Sequence, residues 1–328
     1  MTRVLITGGA GFIGSHLAEA LIARGAQVTV VDDESTGDAD NLAAIRRHPN
    51  FAFVKGSVAD RPLVVRLVAE ADEVYHLAAA VGVQLIASNP IRTIETNVYP
   101  TELLLAELRR RQEAGHTVKL FLASTSEVYG KNPKPRWTED DDLVFGPTTR
   151  ARWSYGVSKA IDEFLALAYW RQYELPVVVG RFFNVVGPRQ TGSYGMVLPR
   201  FVDAALAGRP PTVHDDGQQV RCFGHVADVV GAVLDLMQTP SALGRVLNIG
   251  SDQPVSILEL ARRVIAIVNP SLPVEFQSYA EAYSPDFEDV RSRVPDLGRL
   301  RETIDYRPRF SLDDVIREVV AWKRAMSD

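Results

Sequence analysis

The first 32 residues of the chain follow the order of a strand, a glycine-rich turn, a helix and a second strand. Gly8, Gly11 and Gly14 stand at three-residue intervals between an apolar segment and a run of apolar residues at helical spacing. Glycines at such a turn let the backbone N–H groups of a helix N-terminus approach a pyrophosphate closely. A second apolar segment then ends at Asp32. The pattern therefore predicts a parallel βαβ unit that binds a dinucleotide.

Asp32 indicates which dinucleotide is bound. Its carboxylate, at the end of the second predicted strand, can accept hydrogen bonds from both hydroxyls of an adenosine ribose and would repel a 2′-phosphate. No arginine follows Asp32 directly to receive such a phosphate. We therefore expect NAD, rather than NADP, as the cofactor.

Size and charge narrow the class of protein. The 328 residues, 46% of them hydrophobic, suffice for one large α/β domain with an added lobe. A formal net charge of −5 argues against nucleic-acid binding, because there is no basic excess to neutralise phosphates. Any anionic ligand must therefore be held by local arginine side chains.

Cys222 is the only cysteine in the sequence, which excludes an intrachain disulfide and suggests a reducing compartment. The sequence begins directly on a predicted strand without a signal-peptide pattern, and no apolar run is long enough to span a bilayer. We therefore expect a cytoplasmic protein without membrane contacts. His76, His214 and His225 lack the spacing of metal ligands, so no metal site is expected.

Strands and helices alternate through the first half of the chain, which predicts an α/β fold with a doubly wound parallel sheet. Beyond Asn184 the alternation weakens, and proline and glycine become frequent. We expect residues 1–183 to form a Rossmann domain and residues 184–328 to form mainly a smaller substrate lobe, with some segments returning to the main sheet. The later predicted strands are 51–55, 73–77, 118–123 and 176–182, and the predicted helices between them are 61–69, a long helix after Pro90, and 155–173.

Two shorter patterns add local expectations. Ser256 followed by Glu259 predicts a capping box at the start of a helix. The acidic run at residues 139–142 predicts a solvated loop.

The chemistry is predicted to centre on Tyr155 and Lys159, which are four residues apart and share one face of a predicted helix. An ammonium beside a phenol favours the phenolate, as does an oxidised nicotinamide, so we expect the pKa of Tyr155 to fall towards neutral pH. Thr125 ends a predicted strand, where open α/β sheets bind their ligands. We expect Tyr155 to take a hydroxyl proton while hydride leaves the same carbon for NAD, with Thr125 holding that oxygen.

With these features the sequence resembles the extended short-chain dehydrogenases/reductases of the nucleotide-sugar epimerase, dehydratase and decarboxylase group. The resemblance covers nearly the whole chain. The matching motifs are Thr7-Gly8-Gly9-Ala10-Gly11-Phe12-Ile13-Gly14, His76-Leu77-Ala78-Ala79, Asn97, Ser124-Thr125-Ser126, Tyr155 with Lys159, Arg181-Phe182-Phe183-Asn184 with Gly187-Pro188-Arg189, and Arg221.

The resemblance implies a UDP-sugar substrate, a homodimer built from the two long helices, and roles for further residues. Ser57 departs from the family, which usually has an aspartate near the adenine. Cofactor contacts are implied for Gly8, Gly11, Phe12, Ile13, Gly14, Asp32, Ser57, Val58, Leu77, Ala78, Ala79, Asn97, Tyr155 and Lys159. Substrate contacts are implied for Thr125, Ser126 and Glu127, for Arg189, for Asn184 and Arg221 at the nucleotide diphosphate, and for Leu198, Val213 and His214 at the base.

Oxidation at C4 of a nucleotide-bound hexose leads to re-reduction from the other face, to elimination, or to loss of a carboxylate. Dehydratases of this group carry an Asp-Glu pair after the strand-end threonine, whereas Ser126 and Glu127 follow Thr125 here, so dehydration ranks low. The Thr-Ser-Glu cluster and the Arg-Cys-Phe sequence at Arg221 resemble members that act on uronates. Oxidation of a uronate at C4 makes a β-keto acid. This acid loses carbon dioxide easily unless its carboxylate is held so that the C5–C6 bond does not line up with the π system of the C4 carbonyl.

The segments 150–155 and 187–195 more nearly resemble those of 4-epimerases. The first interpretation is therefore NAD-dependent 4-epimerisation of UDP-glucuronate to UDP-galacturonate. UDP-glucuronate decarboxylation and UDP-glucose 4-epimerisation remain alternatives. A non-catalytic NAD sensor is less favoured, because such a protein is expected to lose Tyr155 or Lys159, and both are present.

Overall fold

The structure, a computed structural model, describes residues 1–80, 89–192, 196–282 and 290–326. The strands are β1 Arg3–Thr7, β2 Gln27–Asp32, β3 Phe51–Lys55, β4 Glu73–His76, β5 Lys119–Thr125, β6 Val177–Phe182, β7 Val185–Val186, β8 Thr212–His214, β9 Val220–Cys222, β10 Gly224–His225, β11 Val246–Ile249, β12 Pro254–Ser256 and β13 Glu275–Gln277. Seven of them form the central sheet in the order β11-β6-β5-β4-β1-β2-β3, in which all neighbouring strands run parallel. This arrangement confirms the predicted doubly wound α/β fold.

Helices cover both faces of the sheet because the side chains of each strand alternate between the faces. The helices are α1 Phe12–Ala23, α2 Arg61–Ala69, α3 Pro90–Glu113, α4 Ser154–Tyr173, α5 Val197–Leu206, α6 Val226–Gln238, α7 Ile257–Val268, α8 Tyr279–Ala282, α9 Gly298–Thr303 and α10 Leu312–Ala325. Ile6 and Val30 belong to the apolar core that includes α1 and α6, whereas Leu5 and Val31 belong to the core that includes α2, α3 and α4. None of the described helices is long and apolar enough to cross a membrane.

The later part of the chain builds a separate apolar core from α5, α7 and α10. Phe201, Leu260 and Ile316 are buried in it, one from each helix. Three two-stranded sheets lie in the same part of the chain: β7 with β10, β8 with β13, and β9 with β12. Strand β11 comes from this part of the chain yet pairs with β6 in the main sheet. The division of the chain into domains at residue 183 stays a prediction.

Two local expectations were wrong. Ser256 does accept a hydrogen bond from the Glu259 backbone, but the Glu259 carboxylate bonds Arg263 instead of returning to the cap, so the box is only half formed. The acidic run 139–142 is not simply solvated. Glu139 is buried and accepts the backbone N–H of Asn248, because this loop packs against the end of the sheet.

The carboxyl ends of the central strands meet at one edge of the sheet. Thr7 is in register with His76 on β4, and Thr125 on β5 is in register with Phe182 on β6. Because parallel strands end together, side chains and turns that follow these residues share one crevice. The fold thus assembles the site from segments far apart in sequence.

Candidate active site

The glycine turn between β1 and α1 is packed so tightly that larger residues do not fit. Gly8 has φ +71°, and a Cβ there would lie 2.7 Å from the backbone nitrogen of Ala78. A Cβ at Gly14 would lie 2.4 Å from the carbonyl oxygen of Gly8. The N-cap of α1 is Gly11, which has no side chain to cover the helix N-terminus. The turn therefore leaves backbone N–H groups accessible to a pyrophosphate, as expected for NAD.

A cavity of about 1380 Å³ runs from this turn along the strand ends to the second lobe. Most residues predicted to contact ligands line it, and residues 193–195 of the segment 187–195 lie outside the described structure. The predicted residues on the wall are Gly8, Gly11, Phe12, Ile13, Gly14, Asp32, Ser57, Val58, Leu77, Ala78, Ala79, Thr125, Ser126, Glu127, Tyr155, Lys159, Asn184, Arg189, Leu198, His214 and Arg221.

Two predicted contact residues lie behind the cavity wall. Asn97 is buried, accepts the backbone N–H of Ala80 at 2.8 Å and donates to Ser158 at 3.0 Å, so it braces the wall without lining the cavity. Val213 is fully buried in the core of the second lobe. It lies on β8, where alternation points its neighbour His214 into the cavity and Val213 away from it.

The end of the cavity next to the glycine turn and residues 31–59, here called the cofactor end, is acidic. Asp32 is buried, and its two carboxylate oxygens accept the backbone N–H groups of Ala10 at 2.9 Å and Glu34 at 2.8 Å. Burial raises the pKa of Asp32, and these two hydrogen bonds oppose the rise. Within residues 31–59 the described wall contains three more carboxylates and no lysine or arginine: Asp33, Asp38 and Asp40. This end fits a ribose without a 2′-phosphate.

The opposite end of the cavity is basic, although the chain as a whole carries a net negative charge. Arg221 is buried beside the wall and donates to the carbonyl of Val220 at 2.9 Å. Arg189 also lines the cavity, but its guanidinium pairs with Glu19 on α1 at 2.7 Å. The cationic side chains at this end are Arg189, Arg200, Arg221 and Lys323. Such a cluster provides the local positive charge that a nucleotide diphosphate requires.

Tyr155 and Thr125 lie together, but Lys159 does not pair with Tyr155 as the sequence suggested. The Thr125 hydroxyl lies close enough to the Tyr155 phenol to favour its ionised form. Burial and the negative charge of Glu127 raise the pKa of Tyr155 well above its usual range. The Lys159 ammonium instead bonds Asp162 at 2.7 Å, because a carboxylate attracts it more strongly than a neutral phenol. The phenol therefore stays protonated in the protein without its ligands.

Beside Tyr155, Glu127 lies between two arginines. Its carboxylate pairs with Arg152 at 2.6 Å and with Arg293, and all three side chains line the cavity. Burial would raise the pKa of Glu127, but Arg293 and Arg152 together lower it to about 2. The group thus holds one carboxylate in place between two guanidinium groups. We call these three residues the Glu127 cluster.

Arg293 carries no sequence signal that singles it out. It lies in the segment 290–297, whose backbone pairs with β9: the Arg293 N–H donates to the Val220 carbonyl at 3.0 Å. Arg152 has a weak signal, since it precedes Tyr155 by three residues and so lies one helical turn away. Its Nε is buried without a hydrogen-bond partner among the described residues, which leaves a donor for a ligand.

Replacing Asp32 tests the cofactor assignment. In Asp32→Ala we expect the ratio of the NADP and NAD dissociation constants to fall at least ~10-fold, because a charge that repels the 2′-phosphate is lost. The measurement is titration of each cofactor by calorimetry. Asp305→Ala, at an exposed carboxylate that pairs with Arg307 outside the cavity, is the control and should leave the ratio nearly unchanged. Equal affinity of the unmodified protein for both cofactors would contradict the assignment.

Comparisons with known proteins agree with this site. The family model for GDP-mannose 4,6 dehydratase matches residues 5–319. A UDP-N-acetyl-alpha-D-glucosaminuronate decarboxylase of Bacillus cytotoxicus is 39% identical, over 99% of this chain and 99% of the relative. UDP-glucuronic acid decarboxylase 1 of Arabidopsis thaliana is 33% identical, over 97% of this chain and 69% of the relative.

A solved structure shows the same architecture with ligands bound. It is UDP-glucuronic acid 4-epimerase from Bacillus cereus in complex with UDP-glucuronic acid and NAD. The two chains superpose with a TM-score of 0.85 at 25% identity, over 99% of this chain and 100% of the other. With its glycine turn, its acidic cofactor end and these relatives, the chain belongs to the GDP-mannose 4,6-dehydratase family, the NAD-dependent extended short-chain dehydrogenases/reductases that convert nucleotide sugars.

Proposed function

We propose that the protein is an NAD-dependent decarboxylase of a UDP-hexuronate. The observation that carries this proposal is the Glu127 cluster, which places two positively charged guanidinium groups beside Thr125 and Tyr155. A neutral hexose needs no such charge, whereas the C6 carboxylate of a uronate does. The two decarboxylases among the compared relatives act on such substrates by name, which supports the same substrate class for this chain.

The first step is oxidation at C4 of the sugar. Tyr155, as the phenolate, takes the proton of the C4 hydroxyl while Thr125 holds its oxygen. When bound, NAD would supply the hydride acceptor for C4 and would later give the same hydride back. Bound at this site, an oxidised nicotinamide would favour the phenolate through its positive charge, against the burial that raises the pKa of Tyr155 in the protein alone. The product is a 4-keto-uronate, a β-keto acid.

Loss of carbon dioxide follows from the charges around the carboxylate. The C5–C6 bond breaks, its electron pair forms the enolate of the C4 ketone, and neutral carbon dioxide leaves. Ionised Glu127 repels the substrate carboxylate and so favours its departure, while Arg152 and Arg293 stabilise the negative charge on the enolate. C5 then takes a proton, and return of hydride to C4 with the proton of Tyr155 gives a UDP-pentose. The net reaction consumes one proton and leaves the cofactor unchanged.

UDP-glucuronate 4-epimerisation, the first interpretation of the sequence, is the second candidate. Ser126 favours it, since this buried residue lines the cavity and can donate a hydrogen bond that holds a carboxylate in place. The likeness to the Bacillus cereus 4-epimerase structure supports it as well. Ionised Glu127 weighs against it, because a carboxylate at this position cannot donate a hydrogen bond to a second carboxylate.

The mass of the product distinguishes the two reactions. We expect purified protein with NAD to convert UDP-glucuronate, its 2-acetamido analogue UDP-N-acetylglucosaminuronate, or both, to a product lighter by carbon dioxide. Mass spectrometry with NMR of the sugar is the measurement. Unchanged mass with inversion at C4 would establish the epimerase instead. Inversion of UDP-glucose with no reaction of either uronate would overturn the uronate assignment altogether.

Arg293 should be needed for uronate turnover. In Arg293→Gln we expect kcat/KM for the uronate to fall ~10- to 100-fold, because a charged hydrogen bond of about 1.5–3 kcal/mol is lost and Glu127 loses a partner. The matched control is Arg291→Gln, two residues away, at an exposed arginine that pairs with Asp216 outside the cavity. Equal kcat/KM values for the two variants would contradict a role for Arg293.

We also propose a homodimer formed by α3 and α4, as the family resemblance implies. The two helices pack on each other and leave an apolar stripe exposed on α4, formed by Val157, Ile161 and Phe164, with Ile91 and Ile94 on α3. Such a surface is typical of a subunit interface.

A cytoplasmic location is proposed on the single cysteine, whose side chain is buried.

Phe164 is 67% exposed and lies in the proposed interface. In Phe164→Glu we expect a monomer, because two carboxylates would be buried near each other across the two-fold axis. Light scattering coupled to size exclusion is the measurement. Phe276→Glu is the matched control, since Phe276 is 55% exposed on β13, away from these helices, and this variant should remain dimeric. A monomeric unmodified protein, or a dimeric Phe164→Glu variant, would refute the interface.

A further inference from the structure

The ion pair between Lys159 and Asp162 is one of the most deeply buried in the described structure. Their side chains are 3% and 0% exposed, and Nζ lies 2.7 Å from the carboxylate. Both residues lie on α4, three positions apart, with Lys159 on the cavity wall and Asp162 behind it. An ammonium has three N–H donors, so this bond leaves two to face the cavity. The carboxylate thus fixes where the ammonium lies.

The groups around this pair are neutral or already paired. His76 on β4 is fully buried, and burial, with the nearby Lys159 charge, lowers its pKa to about 3. The neutral ring contacts Thr7 at 2.7 Å and Thr101 on α3 at 3.2 Å, and the Thr101 hydroxyl donates to the Asn97 carbonyl at 2.9 Å. Glu163, the next residue on α4, pairs with Arg181 at 2.7 Å. Among the described residues, Lys159 therefore has one strong counter-charge, Asp162.

This pairing changes the field at Tyr155. An isolated ammonium one turn away would stabilise the phenolate, but the Lys159–Asp162 pair has no net charge. The charged groups that act on Tyr155 are Glu127 and Asp162, and each raises its pKa further beyond the rise due to burial. Arg152 and Arg293 face Glu127 and offset part of its effect. Asp162 opposes proton loss although it does not line the cavity.

We propose that Asp162 is a positioning residue for the reaction: it holds the Lys159 ammonium in place and so governs how readily Tyr155 gives up its proton. The proposal rests on the proposed function in one respect, the role of Tyr155 as the base. Burial raises the pKa of Asp162, and the Lys159 ammonium opposes that rise, so the charge of Asp162 depends on Lys159. Asp162, one helical turn after Lys159 and behind the cavity wall, therefore influences the strength of Tyr155 as a base.

The test replaces Asp162 by asparagine, which keeps the shape and removes the charge. In Asp162→Asn with NAD bound, we expect the midpoint at which Tyr155 ionises to fall by about 1 pH unit, because a buried negative charge near the phenolate is lost. The first measurement is the phenolate absorbance difference between each protein and its Tyr155→Phe counterpart across pH. The second is the pH profile of cofactor reduction in a single turnover with a UDP-uronate, whose acid limb should shift equally.

Three comparisons make the result decisive. Glu163→Gln, at the adjacent buried carboxylate paired with Arg181, is the matched control and should destabilise the fold without moving the midpoint. Asp162→Glu should restore the original midpoint, since it retains the charge. If Asp162→Asn does not fold, Asp162→Ser, which also removes the charge, is measured in its place.

The outcomes separate this inference from the proposed function. A midpoint in Asp162→Asn that is unmoved, that rises, or that shifts no more than in Glu163→Gln overturns the role of Asp162. Retained turnover in Tyr155→Phe overturns the base itself, and with it the proposed mechanism. An inactive Tyr155→Phe enzyme with an unmoved Asp162→Asn midpoint leaves the base in place and refutes only the positioning role.

Discussion

The site depends on one close approach of backbone to backbone, where the turn after β1 meets the end of β4. Gly8 adopts φ +71° with no room for a Cβ beside Ala78, and Gly14 lets α1 pack directly on that turn. Larger residues at either position would push the helix N-terminus away from the strand ends. Because parallel strands end at the same edge, this contact also sets the depth of the crevice into which the segments after β5 and β6 project.

The parts of the protein that sequence predicted well are those with local signals. The glycine spacing, Asp32 after β2 and the strand–helix alternation indicate the sheet because each depends on residues close in sequence. The predicted strand 51–55 and helix 61–69 coincide with β3 and α2. Family resemblance extended this to most of the cavity wall, but it could not tell that Asn97 supports the wall from behind. That distinction depends on packing between α3 and α4.

Charge pairing was the part that the sequence could not settle. On α4, Lys159 has Tyr155 one turn before it, and Asp162 and Glu163 one turn after it, so three partners share its helix face. Arg181, which lies on β6 and not on this helix, determines which carboxylate Lys159 pairs with. Arg181 pairs with Glu163, and Asp162 is left to pair with Lys159. Arg293 was equally hidden, since it reaches Glu127 across 166 residues of sequence through a segment held by β9.

In the proposed reaction, the Glu127 cluster both binds the carboxylate of a uronate and favours its loss as carbon dioxide. Two guanidinium groups attract the carboxylate of an incoming substrate, and they also hold Glu127 ionised, with its pKa lowered to about 2. The bound substrate then has one carboxylate near another, a repulsion that neutral carbon dioxide does not feel. When the C5–C6 bond breaks, the negative charge moves towards the C4 oxygen, and the two guanidinium groups stay within the same site. An epimerase has the opposite requirement, because it must keep the charge on C6 through the keto intermediate and needs donors, rather than a fixed anion, beside it.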